Sequence, residues 1–146
     1  MFDFLKRLRQ KKMRQAYQDC LQTEFAEEFL QTLLNLMGIT FALDHDFRKN
    51  IANFDGRYQF KTMDGKLTVA AIFNQGCMKV REKVINDPHI TITFRNGRAL
   101  LNFLFSPNQD ILGAMLRHDV QTDGNLNYLY KFGFMAKQLQ RMLPQP

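Results

Sequence analysis

The residues of this chain that could do chemistry are few and scattered. Asp44, His45 and Asp46 form the densest polar run, and two carboxylates beside an imidazole are metal-ligand types. Successive side chains on a strand point to opposite faces, so the run predicts a polar connection rather than a metal site. His118 and Asp119 stand at the predicted end of a helix, where a cationic side chain favours the negative end of the helix dipole.

The nucleophilic residue types form no catalytic constellation in the sequence. Ser106 is the only serine, and Pro107 and Gln109 after it predict that it caps a helix. Cys20 and Cys77 lie far apart without metal-ligand spacing, which predicts two free, buried thiols in a reducing compartment. The sequence has neither a Gly-x-Ser-x-Gly turn nor a glycine-rich phosphate loop. We therefore predict a protein that is not an enzyme and that uses no metal or cofactor.

The positive charge of the chain is concentrated at its N-terminus. The whole sequence carries a formal net charge of +6 at pH 7. Before residue 15 a single acid, Asp3, stands against six bases, and the rest of the chain is nearly neutral. A nucleic-acid-binding face should spread its charge more widely, so we expect no nucleic-acid partner. The six bases are Lys6, Arg7, Arg9, Lys11, Lys12 and Arg14.

Apolar residues alternate with these bases in a helical pattern. A basic amphipathic helix can lie on an anionic membrane surface, or it can pack on its own domain or on a second copy in a homodimer. The charges stand where a secretory signal has its apolar core, so we expect a cytoplasmic protein, peripheral at the inner membrane surface under the first alternative. The residues expected to contact the membrane are Phe2, Phe4, Leu5, Lys6, Arg7, Leu8, Lys11 and Lys12.

A second helix is predicted after this basic segment. Thr23 is expected to be its N-cap and Gly38 its C-terminal stop. The apolar residues between them form one broad face, which we expect to cover a sheet. We divide the chain into a basic amphipathic helical region at 1–38, packing on the rest, and an α+β domain at 39–146. The length fits a single domain overall.

The pattern changes to the period of β-strands after Gly38. Strands are predicted at 51–63, 67–73, 77–84 and 89–95, with a hairpin turn at Asp64-Gly65. In the last of these strands, isoleucines and a phenylalanine alternate with polar residues, so one face is buried. His89 is predicted to face solvent.

The last third is predicted to be mainly helical. Helices are expected at 99–105 and after Ser106, followed by a short strand at 120–122. Thr122 or Asp123 is expected to cap a final helix at 125–143, which is apolar almost all round. One packing face needs less apolar surface than this helix has. Either protein surrounds the helix completely, or the helix lines a space that holds something apolar.

The chain from about residue 39 to residue 142 resembles the sterol carrier protein 2-like domain family. Residues 87–94, Asp-Pro-His-Ile-Thr-Ile-Thr-Phe, are similar to the family's D-x-x-I-T-F strand. The apolar helix at 99–105 and the strand-to-helix passage at 120–125 continue the likeness. Tyr58 or Phe60 stands where the family often has a tryptophan. The resemblance implies an α+β fold with a five-stranded mixed, mainly antiparallel sheet covered by helices, here with an N-terminal helical extension.

The resemblance also implies a function, the non-catalytic binding or transfer of a fatty acyl, sterol or isoprenoid lipid in a cavity between sheet and helices. Three alternatives stay open: a ligand-free accessory or scaffold for membrane-associated lipid or quinone enzymes, an RNA-binding sheet, and an enzyme with a pocket at the sheet end. The residues expected to line the cavity are Phe73, Ile92, Phe94, Leu101, Leu104, Leu112, Met115, Leu129, Phe132, Met135 and Ala136.

Overall fold

The fold begins with one long helix where the sequence predicts two. This computed structural model describes residues 2–105 and 110–142, without the side chains of residues 16–20. Helix α1 runs without a break from Phe2 to Leu43, so the prediction that Thr23 begins a helix and Gly38 ends one is wrong. A glycine inside a helix costs about 1 kcal/mol relative to alanine. Burial of Met37 and Phe41 on either side of Gly38 outweighs that cost.

Ten further elements follow α1, and they agree in type with most of the predicted segments. The short helix α2 and a 3-10 turn connect α1 to the sheet, and three helices share the second half of the chain with the last strands. The bounds are α2 His45–Arg48, the 3-10 turn Lys49–Ile51, β1 Gly56–Thr62, β2 Thr68–Asn74, β3 Cys77–Arg81, β4 Ile90–Phe94, α3 Gly97–Phe105, α4 Ile111–Leu116, β5 Val120–Gly124 and α5 Leu126–Met142.

The five strands form one mixed sheet in the order β3-β2-β1-β4-β5. β1 and β4 run parallel, and the other three neighbouring pairs are antiparallel. Since parallel strands need a crossover connection, the chain traces β2 and β3 before returning beside β1 as β4. The predicted fold class, α+β with a five-stranded mixed and mainly antiparallel sheet, is confirmed.

Helices cover one face of this sheet, which we call the inner face. The strand register places Tyr58 and Phe60 of β1 beside Ala71 and Val69 of β2 on that face, and all four are fully buried. α1 contacts α3, α5, β2 and β3, and α3 and α5 both contact β4. The core therefore lies between the inner face and a helical layer made of α1, α3 and α5.

The opposite, outer face carries no helix in the described residues, but the loop after β3 covers part of it. The side-chain oxygen of Gln59 accepts from the Ile85 N–H at 2.8 Å, and its amide nitrogen donates to the Lys83 carbonyl at 3.2 Å. Gln59 is only 2% exposed. A buried amide needs such partners, and here they hold the loop onto the sheet.

Several predicted boundaries are wrong. The strand predicted from Ile51 starts at Gly56, because Ile51 ends the 3-10 turn and buries its side chain in the core. The strand predicted at 77–84 ends at Arg81, where the loop turns to pair with Gln59. The final helix is capped by Asn125, whose side chain accepts from the Asn127 N–H at 3.0 Å. The predicted caps, Thr122 and Asp123, belong instead to β5.

Candidate functional site

The space between α5 and the inner face is filled with aromatic side chains. The Phe132 ring centroid lies 5.1 Å from that of Phe60 and 5.7 Å from that of Tyr58. The Tyr58 hydroxyl donates to the Tyr128 carbonyl at 2.8 Å, and burial raises the pKa of this phenol well above its usual range. Ring separations of this size are close aromatic contacts. These contacts lie where the cavity is expected, and the cavity itself stays a prediction.

The residues predicted to line the cavity fall into three groups by exposure. Phe73, Ile92, Phe94, Leu104, Leu129, Phe132, Met135 and Ala136 are buried. Leu101 and Met115 are half-buried against the core, whereas Leu112 is 59% exposed on the outer side of α4. Ten of the eleven predicted lining residues thus lie in or against the core between sheet and helices, and Leu112 lies at the protein surface.

Helix α4 has apolar residues on both of its sides. Its six residues are Ile-Leu-Gly-Ala-Met-Leu. Ile111 and Ala114 are buried, whereas Leu112 and Leu116 are 59% and 81% exposed. A helix that is apolar all round is ordinarily buried all round. The exposed side of α4 is therefore a surface suited to something apolar.

A small recess of mixed apolar and polar lining lies between α4 and α3. It measures about 200 Å³ and includes Asp110, Arg117 and Asp119 among its lining residues. Arg95 and Arg117 reach Asp119 at 2.6 and 3.3 Å, and Asp110 caps α4 by accepting from the Gly113 N–H at 2.9 Å. Ligand pockets usually exceed about 300 Å³. These side chains hold α4 and β5 together and offer no acid–base pair aimed at a substrate.

The predicted helix start at Ser106 lies outside the described residues, with Pro107 and Gln109. Asp110 is therefore the first described residue of this segment. Its role as the cap of α4 gives the helix a defined beginning at Ile111.

His89 has a role that the sequence pattern missed. Its Nδ1 accepts from the Arg57 N–H at 2.9 Å, and its ring stacks on Tyr128 with centroids 4.7 Å apart. The predicted solvent-facing position is wrong, because the imidazole joins β1 to the first turn of α5. No feature of the sequence near His89 signals this contact, since Tyr128 is far along the chain.

The Asp44-His45-Asp46 run is a helix start. The Asp44 side chain accepts from the Phe47 N–H at 2.9 Å, which is the N-cap arrangement. His45 and Asp46 are exposed on α2. Among the described residues, no group of three or more His, Cys, Asp or Glu side chains could hold a metal ion.

The N-terminal arm, residues 2–15, is exposed along its whole length. Phe2 and Phe4 are 88% and 64% exposed, and Leu5 is 55% exposed. Lys6, Arg7 and the other bases of the arm are exposed beside them. None of the helices in the described residues is both long and apolar enough to cross a membrane.

Comparisons with known proteins show likeness in structure but not in sequence. No protein-family model and no curated protein sequence matches this chain. A structure described as the UbiJ-SCP2 ubiquinone synthesis protein matches with a TM-score of 0.57 and 15% identity, over 85% of this chain and 95% of that one. The sterol carrier protein domain 2 of Helicoverpa armigera matches with a TM-score of 0.55 and 14% identity, over 80% of this chain and 91% of that one.

A similar unit also occurs as a small part of an enzyme. The inverting sec-alkylsulfatase Pisa1 from Pseudomonas sp. matches with a TM-score of 0.53 and 17% identity, over 60% of this chain but only 14% of its own length. The chain thus corresponds to a small fraction of that enzyme and to nearly all of the two other proteins. With the sheet order, the helical layer and these matches together, the chain has the sterol carrier protein 2-like fold.

Proposed function

We propose that this protein binds an apolar ligand, a fatty acyl, sterol or isoprenoid lipid, without catalysing a reaction on it. The observation that carries the proposal is α4, whose Leu112 and Leu116 are exposed while the opposite side of the same helix joins the core. A ligand lying over the exposed side of α4 would cover these leucines, and a displacement of α4 would let it reach the predicted lining residues. The solved structures named as sterol carrier protein domains support this class of ligand.

The helical layer can adapt to such a ligand. α4 has only six residues, and Met115 and Met135 lie on the core side of α4 and α5. Methionine is flexible and fills irregular spaces. Each ligand methylene buried there would contribute about 0.8 kcal/mol. A modest outward displacement of α4 would therefore be offset by a few buried methylenes.

Charge placed on α4 tests this proposal. Leu112→Glu and Leu116→Glu should each weaken the uptake of a fluorescent fatty acid by delipidated protein about tenfold, which is 1.4 kcal/mol. Leu43→Glu is the matched control, because Leu43 is also 81% exposed and is also the last residue of its helix. Equal uptake by all three variants and the wild type would remove α4 from the binding site.

A second variant tests the interior. Met135 is fully buried on α5, and Met135→Trp should fill any space that a ligand enters. We expect lower fatty-acid uptake with a folded far-UV circular dichroism spectrum. Unchanged uptake in the folded variant would place the ligand elsewhere.

We further propose that the N-terminal arm contacts an anionic membrane through Phe2, Phe4, Leu5 and Leu8 and its bases. Each base near such a surface contributes about 1 kcal/mol, and salt screens the attraction. Replacing Lys6, Arg7, Lys11 and Lys12 by Gln should reduce sedimentation with phosphatidylglycerol vesicles at low salt. Replacing Lys61, Lys66, Lys83 and Arg98 removes the same charge from exposed sites outside the arm. Equal losses in both variants would mean that net charge, not the arm, directs binding.

The accessory or scaffold role for membrane-associated lipid or quinone enzymes is the second candidate. The close ring contacts of Phe132 with Phe60 and Tyr58 favour it, because they leave the expected cavity filled. The match to a structure described as a ubiquinone synthesis protein also favours it. Native mass spectrometry separates the two candidates. A co-purified lipid that delipidation removes supports the carrier, whereas ligand-free protein that takes up no added fatty acid supports the scaffold.

The RNA-binding alternative has no support in the strands. Recognition by a sheet needs aromatic side chains that face outward and stack on bases. Tyr58, Phe60, Phe73 and Phe94 are the aromatic residues of the described strands, and all four are buried on the inner face.

A further inference from the structure

An open groove runs between the C-terminal half of α1 and strand β3. Its volume is about 600 Å³. The α1 side is formed by Leu34, Asn35, Gly38, Ile39 and Ala42, and the β3 side by Met78, Lys79, Val80 and Arg81. We call this feature the α1–β3 groove. It lies on a different part of the helical layer from α4, so it does not depend on the apolar ligand proposed above.

β3 is an edge strand with backbone groups that face the groove. It pairs with β2 on one side and stands at the end of the strand order. The hairpin between β2 and β3 is a two-residue turn, with Gln75 and Gly76 at φ 53° and 73°, so the Asn74–Cys77 pair closes it with hydrogen bonds. Alternation from this pair leaves the N–H groups of Met78 and Val80 on the free edge.

The Val80 carbonyl accepts the Arg81 guanidinium at 3.0 Å. A side chain thus covers this one edge oxygen in the free protein. The covering contact is local and exposed, so an incoming backbone N–H can replace it.

Gly38 keeps the α1 side of the groove open. It lies inside the helix, and a Cβ added there would meet nothing within 4 Å. No contact within the described chain therefore requires glycine, although the residue costs about 1 kcal/mol relative to alanine. The side chains of Met78 and Val80 point to the same side and are half-buried. An extended backbone beside β3 would place alternate side chains over Gly38.

The charges of β3 favour an acidic partner segment over a second copy of this chain as the occupant. Lys79 and Arg81 are exposed on the outer face of the strand. Two β3 strands paired edge to edge would bring these cations together, which destabilises a strand pair. A partner strand with acidic residues at the same positions would instead form opposite-charge pairs. Two acids of this chain, Glu27 and Glu82, do not line the groove. The side-chain amide of Gln31 donates to both of their carboxylates.

We propose that the α1–β3 groove binds an extended segment of another protein by strand addition. The segment carries apolar residues that enter the groove, alternating with Asp or Glu that face Lys79 and Arg81. Backbone hydrogen bonds to Met78 and Val80 supply affinity, and the alternation supplies specificity. The groove would give the domain a protein partner in addition to its apolar ligand.

Nuclear magnetic resonance of the full 15N-labelled chain tests the proposal. The probe is an acetylated, amidated peptide of sequence Ile-Glu-Val-Glu-Ile. Its controls are the scrambled Glu-Glu-Ile-Val-Ile and the basic Ile-Lys-Val-Lys-Ile. We expect saturable shifts of the Met78 and Val80 amides with the first peptide only. The absence of these shifts at millimolar peptide, or equal shifts with either control, would overturn the proposal. Shifts of the same amides that grow with protein concentration alone would assign the edge to a second copy and overturn it as well.

Two variants test whether the acidic peptide binds in the α1–β3 groove. Gly38→Leu fills the groove at a position with free space and should weaken binding of the acidic peptide about tenfold or more, with an unfolding midpoint no lower than that of the wild type. Reversing both cations, Lys79→Glu with Arg81→Glu, should make the protein prefer the basic peptide. Wild-type affinity in the folded Gly38→Leu variant, or an unchanged peptide preference after charge reversal, would contradict strand addition here.

Discussion

The two ends of helix α1 have opposite surroundings. In its C-terminal half, Ala26, Leu30, Leu34 and Met37 are fully buried. In the N-terminal arm, residues 2–15 are exposed on every side. Both ends belong to one uninterrupted helix of 42 residues, about 63 Å long. The same secondary structure thus serves as part of the core at one end and as a free surface at the other.

The two ends of α1 contribute unequally to the stability of the fold. Most helical stability in proteins comes from packing of an apolar face, and among the α1 residues whose side chains the structure describes, those packed in this way lie in the C-terminal half. The apolar side chains and bases of the arm are exposed and contribute little to the core. Changes along α1 should therefore have very unequal effects on stability.

The largest effect is expected from a cavity in the core half. Leu30→Ala should lower the free energy of unfolding by about 2–5 kcal/mol, because it removes buried methyl groups from a site that is 0% exposed. Leu5→Ala in the arm, at 55% exposure, should change it by less than about 0.5 kcal/mol. Urea denaturation measures both. Similar losses for the two variants would mean that the arm is packed in solution.

The next effect concerns the point where α1 meets α3. A Cβ added at Gly97 would lie 2.7 Å from the Thr23 Cα and 2.9 Å from the Gln22 carbonyl oxygen. Backbone atoms cannot move aside as a flexible side chain does, so Gly97→Ala should cost about 1–3 kcal/mol. The midpoint of urea unfolding is the measurement, and an unchanged midpoint would show that α1 and α3 are less closely apposed.

A smaller effect of opposite sign is expected at Gly38. Alanine there meets nothing within 4 Å and has the higher helix propensity. Gly38→Ala should therefore raise the free energy of unfolding by about 0.5–1 kcal/mol. Gly97→Ala is its natural control, since the same added methyl group should destabilise there. Thermal and urea unfolding should agree, and destabilisation at Gly38 would mean that the α1–β3 groove is closed.

The smallest effect is a pH dependence at Glu27, near the start of the core half. Burial, and then the nearby carboxylates of Glu82, Glu24 and Glu28, raise the pKa of Glu27. The pKa of Glu27 is higher in the folded than in the unfolded state, so at pH values between the two the native state binds more protons. The free energy of unfolding therefore falls as pH rises through the folded pKa. Glu27→Gln should therefore stabilise the protein slightly at pH 7, by less than about 0.5 kcal/mol, and not at pH 4.

Asp64 gives the matched control of opposite sign. A hydrogen bond from the Thr62 hydroxyl is the main cause that lowers the pKa of this carboxyl. Its stabilising contribution is present above the unfolded pKa and is lost as pH falls through the folded pKa. Asp64→Asn should therefore lower the free energy of unfolding at pH 7, where Glu27→Gln raises it. Urea titrations of the two variants and the wild type at pH 4 and pH 7 measure both differences, and both should be smaller at pH 4.

The fold was predicted well from the sequence where the spacing of apolar residues matches the side chains that are buried. The alternation through Ile90, Ile92 and Phe94 and the turn at Asp64-Gly65 led to the correct strands. It predicted the helical layer and the burial of most lining residues, because apolar residues at helical spacing must pack on something. It did not predict the close contacts of Phe132 with Phe60 and Tyr58, since patterns indicate which side chains face inward but not whether they leave a space between them.

By itself, the sequence determined the mixed α+β composition, the basic N-terminal segment and the surplus of apolar residues near the C-terminus. Only the tertiary structure decided that Thr23 and Gly38 lie within one helix, because burial of Met37 and Phe41 outweighs the weak local signals of a cap and a glycine. It also decided that His89 joins β1 to α5 through Arg57 and Tyr128. Contacts between residues far apart in the chain depend on the packing of whole elements, and local sequence does not encode them.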